Sequence, residues 1–111
     1  MTRGYTVKTE DEIEHILIQT KKTFESFTDE VQLQKQADYY KALGDPIRLK
    51  LIAFISEEPS CLCELRDAFD IPNSTLTHHL KLLERGGILL TEKRGKYTIF
   101  RLTDDSVKER I

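Results

Sequence analysis

The stretch 73–102 constrains the fold most. Leu76, Leu80 and Leu83 recur at the spacing of a helix core stripe, while Ser74, Thr77, His78 and Lys81 fall on another face that no large apolar side chain interrupts. Gly86-Gly87 ends this helix. Beyond it, Tyr97, Ile99 and Arg101 alternate with Thr98, Phe100 and Leu102, and this run pairs naturally with residues 88–92 across a tight turn at Arg94-Gly95. A helix with one wet polar side, followed directly by a hairpin with a basic tip, is compatible with few architectures.

The upstream sequence narrows them further. Ile13, Ile16, Leu17, Thr20, Phe24 and Phe27 predict one stripe of a first amphipathic helix, and a second helical stretch runs through Leu33, Ala37, Tyr40 and Leu43 to Gly44. Asp45-Pro46 opens a third helix, Asp as N-cap and Pro at the first helical position, where no donor is needed. Its core residues are expected to be Ile47, Leu51, Phe54 and Ile55. Glu57, Glu58 and Pro59 close it, Ser60 is expected to cap a short helix carrying Leu62, Leu65, Ala68 and Phe69, and Asp70-Ile71-Pro72 turns the chain into the helix at Asn73. Two short helices, a tight turn and a two-stranded wing describe a winged helix-turn-helix: mainly α with a β-hairpin wing.

Charge is placed to match. Residues 1–70 hold nine Lys/Arg against fourteen Asp/Glu, whereas residues 71–102 hold six (Lys81, Arg85, Lys93, Arg94, Lys96, Arg101) against Glu84 and Glu92. In this architecture the second helix fits a major groove, with Asn73, Ser74, Thr75, Thr77, His78 and Lys81 as candidates for base edges and phosphates. Lys93, Arg94 and Lys96 at the hairpin tip are candidates for the neighbouring backbone. His79 belongs to the same candidate set, but it lies beside the leucine stripe, so a packed core histidine is an equal reading. The plain alternative for the whole set is a solvated basic face.

The remaining sequence excludes more than it assigns. Length and composition fit one domain spanning 1–111, and the N-terminus shows no apolar run after its charges, so neither a signal peptide nor a membrane span is expected. Cys61 and Cys63, one residue apart, cannot close a useful disulfide loop, which favours a reducing, cytoplasmic setting. No enzyme is expected: His78 and His79 point about 100° apart on a helix, the cysteines have no evident base, and no Gly-rich phosphate loop is present.

Three segments, Lys41-Ala42-Leu43-Gly44-Asp45-Pro46-Ile47-Arg48-Leu49, Cys61-Leu62-Cys63-Glu64-Leu65 and Ser74-Thr75-Leu76-Thr77-His78-His79-Leu80-Lys81-Leu82-Leu83, resemble in order and spacing the ArsR/SmtB family of metal-responsive repressors. The resemblance implies a homodimer whose interface is formed by helices from the two chain ends, the N-terminal ones spanning 1–43, with 45–85 the helical core carrying the helix-turn-helix and 87–102 the wing. It also implies a double-stranded DNA operator released when a metal or metalloid binds. Cys61 and Cys63 match the family's thiolate positions and would be soft ligands for arsenite, antimonite, Cu(I), Zn, Cd or Pb.

Residues i and i+2 point roughly 200° apart on a regular helix, so both sulfurs reach one ion only where the helix begins, and there the N-terminus favours thiolate. The third thiolate of arsenite-responsive relatives falls at Arg66 here, and the N-terminus offers only His15 or carboxylates in its place. The family's C-terminal Asp-x-His site is absent, since Asp104 is followed by Asp105-Ser106. Two alternatives stand beside the sensing repressor: a winged-helix regulator with no metal sensing or with a thiol redox trigger, and a winged-helix module for protein assembly.

Overall fold

The computed structural model describes residues 4–111, so the first three residues of the expected 1–111 domain lie outside the described residues. The chain divides into two compact units, one ending at Gln34 and one spanning Lys35–Ile111. In the first, α1 (Glu10–Thr23) starts at a reciprocal cap: Thr9 Oγ1 accepts from the Glu12 amide at 3.2 Å while Glu12 Oε1 accepts from the Thr9 amide at 2.8 Å. Glu10, Asp11 and Glu12 at its start and Lys21 and Lys22 at its end oppose the helix dipole favourably. None of its residues is buried.

The predicted apolar stripe runs past the true end of this helix. Thr20 Oγ1 donates back to the Ile16 carbonyl, Phe24 is already extended, and Phe27 sits in a 3₁₀ turn at Glu25–Thr28. A back-bonding threonine and a second β-branched residue, Thr23, weaken the last turn more than the hydrophobic period extends it.

α2 (Glu30–Leu43) carries the chain into the second unit. There α3 (Pro46–Glu57) begins as expected, with Asp45 Oδ2 accepting from the amides of Ile47 (2.9 Å) and Arg48 (3.2 Å) and Pro46 in the first turn. Its buried residues are Arg48, Leu51, Ile52 and Ile55. Of the expected Ile47, Leu51, Phe54 and Ile55, Leu51 and Ile55 are core residues and Ile47 packs against the core. Phe54 remains 38% exposed with its ring edge-to-face to Phe69, and Arg48 and Ile52 are buried in addition.

Ser60 does not cap the next helix. It forms, with Cys61, a short strand β1 (Ser60–Cys61), and Cys61 occupies the cap position of α4 (Leu62–Phe69), its amide held by Glu64 Oε1 at 2.9 Å. Asp70, with φ 48°, ends α4 in the left-handed conformation that Asp tolerates. α5 (Asn73–Arg85) follows after Ile71-Pro72. Gly86 and Gly87 end it, Gly87 at φ 75°. Gly86 needs no special dihedral but has no room: a Cβ there would lie 2.8 Å from Ala42 Cβ and 2.9 Å from the Asp38 carbonyl.

The wing is β2 (Leu89–Arg94) and β3 (Tyr97–Leu102), antiparallel, turning at Gly95 with φ 61°. The sheet has three strands rather than two, because β1 joins it on the outer side of β3 in the order β1-β3-β2, with Ser60 opposite Phe100 and Cys61 opposite Ile99. Leu51, Ile52, Ile55, Leu65, Leu76, Leu80, Leu83, Ile88, Leu89 and Phe100 form one core cluster that α3, α4, α5 and the sheet share. Full burial of each large aliphatic side chain there contributes about 1.5–3 kcal/mol. The cluster fixes which side of α5 faces out.

Candidate nucleic-acid interface

On α5 the leucine stripe is sequestered and the polar side is open. Leu76, Leu80, Leu82 and Leu83 are buried; Asn73, Ser74, Thr75, His78 and Lys81 are exposed, and Thr77 is half-buried. No acidic residue occupies the first turn of α5. Arg66 on α4 donates to Asn73 Oδ1 at 3.3 Å, a link between the two helices that sequence spacing alone does not reveal.

At the wing tip Lys93, Arg94 and Lys96 are all exposed around Gly95. Arg94 Nη2 stands 3.4 Å from Glu92, and Arg101 shares the same carboxylate at 3.7 Å. With Arg94 and Glu92 side chains 63% and 36% exposed, this pair is screened and easily exchanged for another anion. The Lys96 ammonium lies 5.5 Å over the Tyr97 ring. Hydroxyl, imidazole and ammonium groups on a helix flanked by an exposed cationic tip are what groove and phosphate contact require.

His79 leaves the predicted contact set. It is 7% exposed, packed on the inner side of α5, and its Nδ1 is 2.9 Å from Arg48 Nη1 and 3.9 Å from Asp45 Oδ2. A guanidinium is always a donor, so Nδ1 accepts and the proton of the neutral ring sits on Nε2. Burial, opposed by the Asp45 carboxylate and assisted by the Arg48 and His78 charges, pushes the ring below its ordinary pKa of 6.5.

The unfolded chain therefore takes up this proton before the folded one does. Stability is full above the ordinary pKa of 6.5 and is lost as pH falls from there through the lower folded pKa. His79→Gln, which can still accept from Arg48, is expected to lack that step. Denaturant unfolding at several pH values between about 5 and 8 checks it; parallel pH profiles for both proteins would exclude His79 as the source.

The cysteine pair occupies the expected helix start. Cys61 is buried, Cys63 half-buried, both unpaired to any disulfide, with Sγ atoms 2.6 Å apart. The predicted thiolate preference fails at Cys61: its hydrogen bond with Cys63, then burial, push its pKa above the ordinary thiol value and outweigh the pull of Glu64's backbone contact. Among the described residues, no group of three or more His, Cys, Asp and Glu side chains is placed to hold a metal ion, so this pair offers two donors. Also among the described residues, no helix is long and apolar enough to cross a membrane.

Comparison with known proteins follows the same outline. A family model described as a helix-turn-helix domain matches residues 43–92. An uncharacterised HTH-type transcriptional regulator of Methanocaldococcus jannaschii is 38% identical over 79 residues, covering 70% of this chain and 89% of that one. The arsenical resistance operon repressor of Bacillus subtilis is 30% identical, covering 68% and 72%. The SmtB homologue of Synechocystis, a transcriptional repressor, is 29% identical over 68% of this chain, which spans only 58% of that protein's length.

Among solved structures, the transcriptional repressor BigR from Xylella fastidiosa superposes with a TM-score of 0.61 at 28% identity, covering 82% of this chain and 88% of that one. A homodimeric winged helix-turn-helix domain from Mycobacterium bovis gives 0.66 at 20% identity over 72% and 74%, a likeness of fold.

Proposed function

The chain belongs to the ArsR/SmtB family of winged helix-turn-helix regulators, and from that premise we propose that it is a homodimeric repressor that holds a palindromic operator and is released by a soft ion at Cys61 and Cys63. The relatives named above are transcriptional regulators, not enzymes. One observation carries the DNA reading: the core turns the leucines of α5 inward and leaves Ser74, Thr75, Thr77, His78 and Lys81 outward, beside a tip bearing Lys93, Arg94 and Lys96.

A second copy brings a second recognition helix, and the two must meet major grooves about one helical turn apart. The interface is assigned to residues 1–43. Ile13, Ile16, Leu17 and Ile18 on α1 are 42–46% exposed, an apolar run for a second copy to cover. Such a regulator works in the cytoplasm.

Two adjacent sulfurs suit a soft ion, either Cu(I) or another thiophile completed by ligands from a second subunit. Binding requires both thiols to lose their protons, and Cys61, with its raised pKa, resists this until the ion competes. Cys61 is also a strand residue opposite Ile99, so its displacement is felt by β3 and the wing.

Fluorescence anisotropy of a labelled palindromic duplex tests the proposal. The reduced chain should bind, and Cu(I), Cd(II) or arsenite should weaken binding by about 5- to 150-fold, the usual range of such couplings. Cys61→Ser and Cys63→Ser should bind the duplex like the parent and ignore the ion. Normal release of both variants would move the sensing site elsewhere, and absence of duplex binding in every form would overturn the repressor reading itself.

A further inference from the structure

Between α4, α5 and β3 lies a cleft of about 460 Å³, bordered by both cysteines and by three of the proposed DNA-contact residues, Thr77, Lys81 and Lys96. Its floor is apolar: Leu62 from α4, the buried Leu80 of α5 and the buried Phe100 of β3 meet there. Its rim is cationic. Arg66, Lys81 and Lys96 approach from three elements against one carboxylate, Glu84, and no salt bridge pairs any of these four among the described residues. The size lies within the range of small-molecule sites, which are apolar with a few convergent polar groups.

We infer that this cleft is a binding site for a small aromatic carboxylate, its ring on Leu80 and Phe100 and its charge at the Arg66, Lys81 and Lys96 rim. Tyr97 also borders the cleft, and the Lys96 ammonium lies 5.5 Å over its ring. The excess of cations selects an anion. The apolar floor, built partly from core residues, selects an apolar body over a bare phosphate, for which the rim alone would serve.

The site has a consequence that rests on the repressor reading. Thr77, Lys81 and Lys96 line the cleft and also belong to the proposed groove and phosphate contacts, so occupant and duplex compete for the same groups. The occupant needs no metal and no chemistry at Cys61 or Cys63, although both sulfurs border the cleft.

Titrating 2-naphthoate into the full chain, followed by amide NMR shifts, tests the site without DNA. Saturable shifts at Leu62, Leu80, Thr98 and Phe100 are expected, with 2-naphthamide, neutral and of similar shape, weaker by about tenfold. Arg66→Gln should weaken naphthoate but not naphthamide, and Thr98→Trp should plug the cleft against both. Equal affinity for acid and amide, shifts confined to α1, or no saturable shifts would each overturn the assignment.

Duplex anisotropy with naphthoate present then tests the competition. A weaker complex is expected. Duplex affinity unchanged at saturating naphthoate would overturn the competition while leaving the site, and a chain that binds naphthoate but never the duplex would locate the failure in the repressor reading alone.

Discussion

Arg48→Met is expected to lower the unfolding free energy by about 3 kcal/mol, the scale of removing one partner from a buried charged network. Arg48 is 8% exposed, and its guanidinium is used on every side. Nε donates to the Ala42 carbonyl at 2.9 Å, Nη2 to the Lys41 carbonyl at 2.9 Å, and Nη1 to His79 Nδ1 at 2.9 Å. Those two carbonyls end α2, where that of Lys41 also accepts from the Gly44 amide at 3.2 Å, and a cation there meets the negative end of the helix dipole.

One side chain thus ties the end of α2 and the start of α3 to the inner face of α5. Methionine matches much of the length but donates nothing, so the buried Ala42 carbonyl and the His79 imidazole nitrogen lose the Arg48 donor while the Lys41 carbonyl keeps only the Gly44 amide. Arg48→Lys should recover less than half of the loss, because one ammonium cannot span three acceptors held in a fork. Urea unfolding of the three proteins, compared through midpoints at constant slope, measures this. A methionine variant within about 0.5 kcal/mol of the parent, the scatter of an ordinary surface substitution, would mean that the network does not hold the helices together.

Much of this architecture was legible from local chemistry. Asp45-Pro46 reads as a helix start because an N-cap carboxylate and a donor-free first position are local requirements, and the structure meets both. The polar and apolar sides of α5 and the turn at Gly95 are equally local. What escaped the sequence depends on partners distant in the chain. A two-residue strand has no period to detect, so β1 exists only because β3 arrives beside Ser60 and Cys61.

The resulting pairing also explains why Cys61, not Ser60, stands at the helix cap. Arg48 escaped because charge suggested solvent, although Arg48, Leu51, Ile52 and Ile55 follow i, i+3, i+4, i+7 and mark the face that is buried. The same arithmetic on Leu76, His79, Leu80 and Leu83 places His79 inside, where the structure puts it. At the cysteines, spacing and helix start were readable, but the direction of the Cys61 pKa was not. It is set by burial and by the neighbouring sulfur, and a sequence shows neither.

The second large effect concerns the wing. Replacing Lys93, Arg94 and Lys96 together by alanine removes three exposed cations and no core contact, so thermal unfolding should be unchanged. Duplex binding should fall by about 100-fold at physiological salt, uniformly across sequences, because phosphate contacts position the protein without reading bases. Thr77→Ala with His78→Ala is expected to behave oppositely: a smaller loss, concentrated on the operator relative to scrambled DNA, with the salt dependence retained.

The salt dependence of duplex affinity is therefore the decisive measurement for α5 and the wing as the DNA-reading surface. The logarithm of the binding constant against the logarithm of salt concentration should be linear for the parent, and the triple wing variant should lose about three units of slope per chain, one for each phosphate contact removed. A parent whose duplex affinity ignores salt, or a wing variant whose slope and affinity match the parent's, would contradict the account.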